Sequence, residues 1–327
     1  MTTPLDLTAL AVGARVQDTF LIWEVETRTQ NDGSQFVILH VANASGRVKT
    51  APFWSSELHK VAGLAKGDIV RLSGDVSDYR GARQLKVLAI DPVPRKSVDL
   101  SRLVPSVGDV AKYWTTLDKW RQEMREGPWK RAVDVFYGDP DFRGDYEQCP
   151  GSTGNHHAAL GGLLQHTVEV GAIARTIAKT CAADWDLVLA GVLLHDIGKL
   201  EAYRWDGIFE MTDVGFLLGH VALGARALDR RLAELEPPLD ERDEWLLQHL
   251  VLSHHGELEF GSPVRPMTVE AEILHAADNA SATTTNMAAA IAGRDNFEEG
   301  ASVSKRIWTL ERKVYRGPPP PERTTTR

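Results

Sequence analysis

The chain has 327 residues, 43% hydrophobic and 25% charged, which is long enough for two domains with cores of their own and ordinary for a globular protein. Its formal net charge of -8 excludes a broadly cationic polyanion binder, because non-specific nucleic-acid affinity comes mainly from phosphate neutralisation. No apolar run has the length of a membrane helix, the start Met1-Thr-Thr-Pro-Leu-Asp6 lacks the basic and apolar regions of a signal peptide, and Cys149 and Cys181 lie outside any metal-ligand spacing; a cytoplasmic protein without disulfides or a thiolate zinc site is expected.

From about Thr19 the pattern is β. Phe20 to Thr27 alternates, Asn31-Asp-Gly-Ser34 is a hairpin turn, and Gln35 to Ala42 follows as a second strand. Asn43-Ala-Ser-Gly46 turns into a third strand from Arg47, Ser56 to Ala62 is a short helical stretch, and Ile69 to Val76 and Gln84 to Ile90 are two more strands. Three strands, a short helix and two strands is the order of an all-β OB barrel, a fold that commonly binds oligonucleotides. The reading for residues 1–95 is a single-strand binding domain that stacks bases on Phe36, Phe53, Trp54 or Tyr79 and holds phosphates with Arg47, Lys49, Arg80, Arg83 or Lys86. Alternation alone leaves open which aromatics face outward.

Asp91-Pro-Val-Pro-Arg-Lys-Ser97 reads as a linker, because prolines do not continue a strand. Residues 96–155 form a lead-in. Val107 to Phe136 is predicted as one helix with Trp114, Leu117, Trp120 and Met124 on its core face, followed by a loop from Gly138 to Asn155. Residues 156–316 are predicted all-α. Ala159 to Thr180 carries His166; Asp184 caps the next helix, which ends at Gly198 after His195-Asp196; Phe216 to Leu232 carries His220. Glu241 to Ser253 leads into His254-His255, and a helix capped by Thr268 holds His275 and, near its end, Asp278. Val303 to Val314 is read as a further helix, and residues 317–327 as a polyproline-like, disordered tail.

Chemistry enters with His195-Asp196. An imidazole nitrogen and a carboxylate oxygen side by side at a helix end can share a metal ion, and the carboxylate has a second oxygen free for another. His166, His220, His254, His255 and Asp278 extend the pair into a series that eleven histidines in 327 residues rarely form by chance. His156 and His157 precede the first of these helices, where they either meet substrate phosphates at the rim or cap the helix.

This order resembles the HD superfamily of metal-dependent phosphohydrolases. The segments His156 to Thr167, His195-Asp-Ile-Gly-Lys199, Leu218-Gly-His220, Ser253-His-His-Gly-Glu-Leu-Glu-Phe-Gly-Ser-Pro263 and Glu270 to Asn279 resemble, more closely, the YhaM-type family of 3′-to-5′ exoribonucleases. The resemblance implies a divalent-metal enzyme that hydrolyses single-stranded RNA or DNA to nucleoside monophosphates, alone or as a homo-oligomer, away from membranes. It implies two ions, one on His166, His195, Asp196 and Asp278, and a second shared by Asp196 with His220, His254 and His255; nitrogen and oxygen donors suit Mn, Fe, Co or Zn. Asp196 and Lys199 would be catalytic, Lys199 by neutralising a phosphoryl oxygen or the leaving group. After Asn279 this chain lacks the acidic residue usual in that family and reads Ala280-Ser-Ala-Thr283, which puts a substrate-side contact in doubt. Two other readings stay open: a small-nucleotide phosphohydrolase whose barrel serves assembly, and a non-catalytic RNA-binding protein.

Overall fold

The computed structural model describes residues 5–79, 82–154, 157–205, 207–293, 296–298 and 300–317. Its N-terminal part is a closed barrel of β1 (Arg15–Thr29), β2 (Gln35–Asn43), β3 (Gly46–Thr50), β4 (Ile69–Tyr79) and β5 (Ala82–Pro92), neighbours in the order β1-β2-β3-β5-β4. Only β3 and β5 pair in parallel, and a 3₁₀ turn over Ser55–Lys60 lies between β3 and β4, as in an OB fold. The strand β1 pairs with both β2 and β4, and its register shifts between Ile22 and Glu24. Three consecutive residues of β1 are buried because both faces are covered. Phe20 and Ile22 fill the barrel, while Leu21 packs outside it with Ile69 against Leu103, Val104, Ile208 and Phe209. The wall of the barrel is therefore seated on the helical part, and Lys66 reaches across to Glu210 at 2.6 Å. The expected linker begins as strand, since β5 runs through Asp91 and ends on Pro92, where a missing N–H costs least.

The helical part comprises α1 (Ala111–Glu123), α2 (Pro128–Tyr137), α3 (Pro140–Gln148), α4 (Gly162–Ala178), α5 (Trp185–Leu194), α6 (Lys199–Ala202), a two-stranded ribbon of β6 (Tyr203–Arg204) and β7 (Glu210–Met211), α7 (Asp213–Leu232), α8 (Glu241–Ser253) and α9 (Val269–Ala292). The single helix expected from Val107 to Phe136 is two, because Pro128 opens α2 and cannot continue the turn before it. The expected loop after Gly138 contains α3, started by Pro140 and by the Asp139 carboxylate accepting from the Asp141 N–H. One core joins Trp114, Leu117 and Trp120 of α1 and Tyr137 and Tyr146 of α2 and α3 to the apolar faces of α4, α5, α8 and α9, so the lead-in helices and the histidine-bearing helices pack as one body.

Two expectations fail toward the C-terminus. Asp278 lies mid-helix, because α9 runs on to Ala292 and absorbs the apolar run at Met287–Ile291. The segment from Val303 to Val314 is not a helix: Val303 bridges Tyr315 and Ile307 bridges Arg312 around a 3₁₀ turn at Trp308–Leu310. Its apolar spacing mimics a helix, but Glu311 turns the chain back with φ 53°, and Leu310 and Val314 are buried with Ala290 and Phe297. The tail from Pro318 lies outside the described residues.

Candidate active site

Helix α5 is buried from Asp186 to Leu194, as a helix that is apolar all round from Leu187 onward must be. The Asp184 carboxylate caps it by accepting from the Asp186 N–H, and its last turn delivers His195 and Asp196 to the middle of the helical part. Gly198 does not end this helix, contrary to the sequence reading: the helix stops at Leu194, before the His-Asp pair, and Gly198 lies beyond it with φ -66°. It is needed because a Cβ there would stand 2.0 Å from the His220 carbonyl oxygen and 2.3 Å from the Gly224 nitrogen. Backbone contact at Gly198 lets α7 approach the His-Asp turn. Within α7, Gly219 breaks the helix with φ 72° and ψ 153°, one residue before His220, a conformation open to glycine. That kink sets where His220 points.

The two oxygens of Asp196 face different imidazoles. Oδ2 lies 3.2 Å from His195 Nε2 and 3.5 Å from His166 Nε2, whereas Oδ1 lies 3.4 Å from His220 Nε2 and 3.8 Å from His254 Nε2. Asp278 Oδ1 sits 3.1 Å from His166 Nε2. Two groups of donors result, His166 with His195 and Asp278, and His220 with His254 and His255, each with ligand atoms within 4.8 Å of one another. Ring orientations are fixed from behind. His195 Nδ1 donates to Val192 O at 2.9 Å, His254 Nδ1 to Val251 O at 2.7 Å and His255 Nδ1 to Phe260 O at 2.6 Å, which leaves each Nε2 lone pair for the centre. His275 Nδ1 donates to His254 O at 2.9 Å, from behind the centre.

The donor set fits metal on an observation of the fold itself: Asp196 Oδ1, His220 Nε2 and His254 Nε2 are buried with no hydrogen-bond partner. Such atoms are costly to bury unless something binds them. Burial pushes His220 down to about 3 and His254 well below the usual histidine range, so both offer a neutral nitrogen. Burial opposes charge on Asp196 too, but Lys199 and His195 override it and hold the carboxyl well below its usual range. The same contact holds Lys199 above its ordinary value against the pull of burial.

Lys199 is itself buried, with Nζ 2.6 Å from Asp196 Oδ2 and 2.8 Å from Gly151 O. Its first partner here is the Asp196 carboxylate, although it also lines a 420 Å³ cavity over the centre with Tyr203, His220, His255, Phe260 and Asp278. His157 does not reach that cavity as a rim residue. It is buried, with φ 55°, its ring edge-on to His166 and its Nε2 2.8 Å from Glu169 Oε2. The backbone explains this: His157 O accepts from Gly151 N at 2.9 Å and folds the loop inward. His156 lies outside the described residues. Sequence reasoning missed Glu169 and Ser281; each stands one helical turn after a residue of the centre, His166 and Asp278, and that spacing was the available signal.

On the barrel, Phe53 is 3% exposed and fills the interior, because its backbone pairs with Val37 and turns its ring inward; it cannot stack on a base. Its neighbour Trp54 faces outward, 46% exposed, with its ring 5.0 Å from that of Phe36. Trp54, Phe36 and Tyr79 line a groove with Arg28, Lys49 and Arg83. Arg47 and Lys86 do not line it; the Arg47 guanidinium lies 3.3 Å over Trp23, at the seam with the helical part. Arg80 lies outside the described residues. Among the described residues no helix is long and apolar enough to cross a membrane.

A family model described as HD domain matches residues 163–283, which span the whole histidine and aspartate series from His166 to Asp278. The 3′-5′ exoribonuclease YhaM of Bacillus subtilis (strain 168) is 31% identical over 310 residues, covering 94% of this chain and 96% of that protein. The proteins of the same name from Bacillus velezensis and Bacillus pumilus are each 30% identical, over 310 and 313 residues, with the same coverage.

Proposed function

Because the chain belongs to the YhaM family of 3′-5′ exoribonucleases, we propose that it is a metal-dependent hydrolase that shortens single-stranded RNA from its 3′ end in the cytoplasm and releases nucleoside monophosphates. The observation that carries this reading is the division of Asp196 between two imidazole groups, Oδ2 toward His166 and His195 and Oδ1 toward His220 and His254. In this reading His166, His195, Asp196 and Asp278 hold one divalent ion, and Asp196 shares a second with His220, His254 and His255. Donors of nitrogen and oxygen without thiolate suit Mn, Fe, Co or Zn. Bound ions supply an activated water and charge neutralisation at the phosphoryl oxygens. The protein's own groups do the rest. Lys199 pins Asp196 so that both of its oxygens stay aimed, and Tyr203 and Phe260 narrow the cavity around the terminal nucleotide. The Trp54, Phe36 and Tyr79 groove is the proposed holding surface for the strand behind it.

The test is degradation of a 5′-labelled single-stranded RNA, with a free or a blocked 3′ end, beside free nucleotides, with and without chelator. We expect a ladder of single-nucleotide steps from the free end only, abolished by chelator and restored by a divalent metal. Hydrolysis of free nucleotides with the RNA left intact would replace this reading with a small-nucleotide phosphohydrolase.

A further inference from the structure

We propose that Ser281 and Glu169 form a hydrogen-bonded relay that positions His166, and through it one of the two metal ions; this rests on the two-ion reading above. An imidazole that offers Nε2 to the centre keeps its proton on Nδ1 and needs an acceptor there. For His195 and His254 the acceptor is a main-chain carbonyl three residues earlier in the chain, so the local backbone supplies the orientation without any other side chain. His166 is held differently. Its Nδ1 donates across to Ser281 Oγ on α9 at 3.2 Å, and the Ser281 hydroxyl donates to Glu169 Oε2 at 3.2 Å, back on α4 one turn beyond His166.

A hydroxyl suits this place because it accepts from one group while donating to another. Ser281 is 1% exposed and stands one turn after Asp278, which meets His166 at its other nitrogen, 3.1 Å away. Helix α9 thus grips the ring at both ends. The far end of the relay is fixed in turn: Gln165 Nε2 donates to Glu169 Oε1 at 2.9 Å, and His157 Nε2 donates to Oε2 at 2.8 Å. Buried His157 thus acts at the far end of the relay, holding the Glu169 carboxylate. The group of His220, His254 and His255 has no link to Ser281 in any of its hydrogen bonds described above, so loss of the relay should touch one ion and spare the other.

The experiment is titration of the chelator-stripped full chain with Co²⁺ alone, followed by equilibrium dialysis and the visible absorption of the bound ion. Ser281→Ala is expected to weaken one equivalent by about ten- to a hundredfold, the range for loss of an outer partner of a metal-bound histidine, and to leave the other equivalent as in the parent. Glu169→Gln should weaken the same equivalent. The double variant should be no weaker than Ser281→Ala, because the relay is already cut. Ser281→Thr, which retains the hydroxyl, should restore binding. Parental affinity in Ser281→Ala, equal weakening of both ions, or additive losses in the double variant would overturn the relay. A parent that takes up a single equivalent would overturn the two-ion reading instead, and the relay would then be judged by whether Ser281→Ala weakens that ion.

Discussion

The groove on the barrel and the histidine centre are both assembled from residues distant in sequence, yet they are held in opposite ways. In the centre, His195 and His254 are 0% exposed and Asp196 is 2% exposed, and each is tied by hydrogen bonds or ion contacts to at least one neighbour. On the barrel, Trp54 and Tyr79 are 46% and 58% exposed, Trp54 just ahead of the 3₁₀ turn and Tyr79 at the end of β4. Buried polar groups are over-determined by packing, so altering one disturbs the others. Exposed aromatics can be removed with little loss to the fold, and what is lost is contact with a ligand. The centre should therefore fail in chemistry and metal content, and the groove in affinity alone.

The sharpest break in this comparison is Asp196→Asn. Both donor groups lose their shared carboxylate, while the amide oxygen still accepts from Lys199, so metal content should fall and hydrolysis should drop more than about a thousandfold. Elemental analysis beside the RNA assay checks it, and parental turnover would contradict a shared Asp196. The barrel has its own internal contrast, between neighbouring residues. Phe53→Ala should cost roughly 3–5 kcal/mol of stability as a core truncation, read from the denaturant midpoint. Trp54→Ala and Tyr79→Ala should leave that midpoint nearly unchanged but weaken RNA binding, measured in the Asp196→Asn background, by about 1–3 kcal/mol per stacked base. If both variants bind like the parent, the groove does not hold the strand.

Titration separates the regions further. In the unfolded chain His220 and His254 would bind protons near pH 6.5, whereas burial keeps His220 neutral down to about 3 and depresses His254 as well. Between those limits the unfolded chain holds protons that the folded chain refuses. Stability of the metal-stripped protein should therefore fall as pH drops below about 6.5, by up to about 1.4 kcal/mol per pH unit for each of the two. His195, whose value is raised, holds its proton in both states in that window and does not oppose the trend. Asp196 and Asp278, both depressed, add a further loss once the pH falls through the unfolded carboxylate range near 4. Urea unfolding at pH 7, 6 and 5 measures the slope; a flat profile would mean that the folded imidazoles accept protons. The smallest effect belongs to the groove's cations: Arg83→Gln should reduce the log–log salt slope of RNA binding by about 0.7, as expected for one phosphate contact on a single strand.

Much of this protein was legible in the sequence alone because the signals are local. Alternation and turns give the barrel's strand order, helical periodicity gives α4, α5, α8 and the start of α9, and Thr268 and Asp184 cap helices as their types require. The residues that meet at the centre were nameable from His195-Asp196 and its companions, since few side chains offer nitrogen or carboxylate oxygen to a metal. What the sequence could not decide is where side chains point once distant segments meet. A bridge to Val37 turns Phe53 inward and its neighbour Trp54 outward, Trp23 takes Arg47 for the seam between the two parts, and a loop fold buries His157 against Glu169. Gly198 looked like a helix terminator because helix ends favour glycine; only the backbone of α7 lying 2.0 Å from where its Cβ would be shows that the position is fixed by close approach. Local propensity sets which elements form, and long-range packing sets which of their faces are buried, so the residues that meet at the centre could be named from the chain whereas the contacts behind His166 and the outward face of the barrel were decided by tertiary structure.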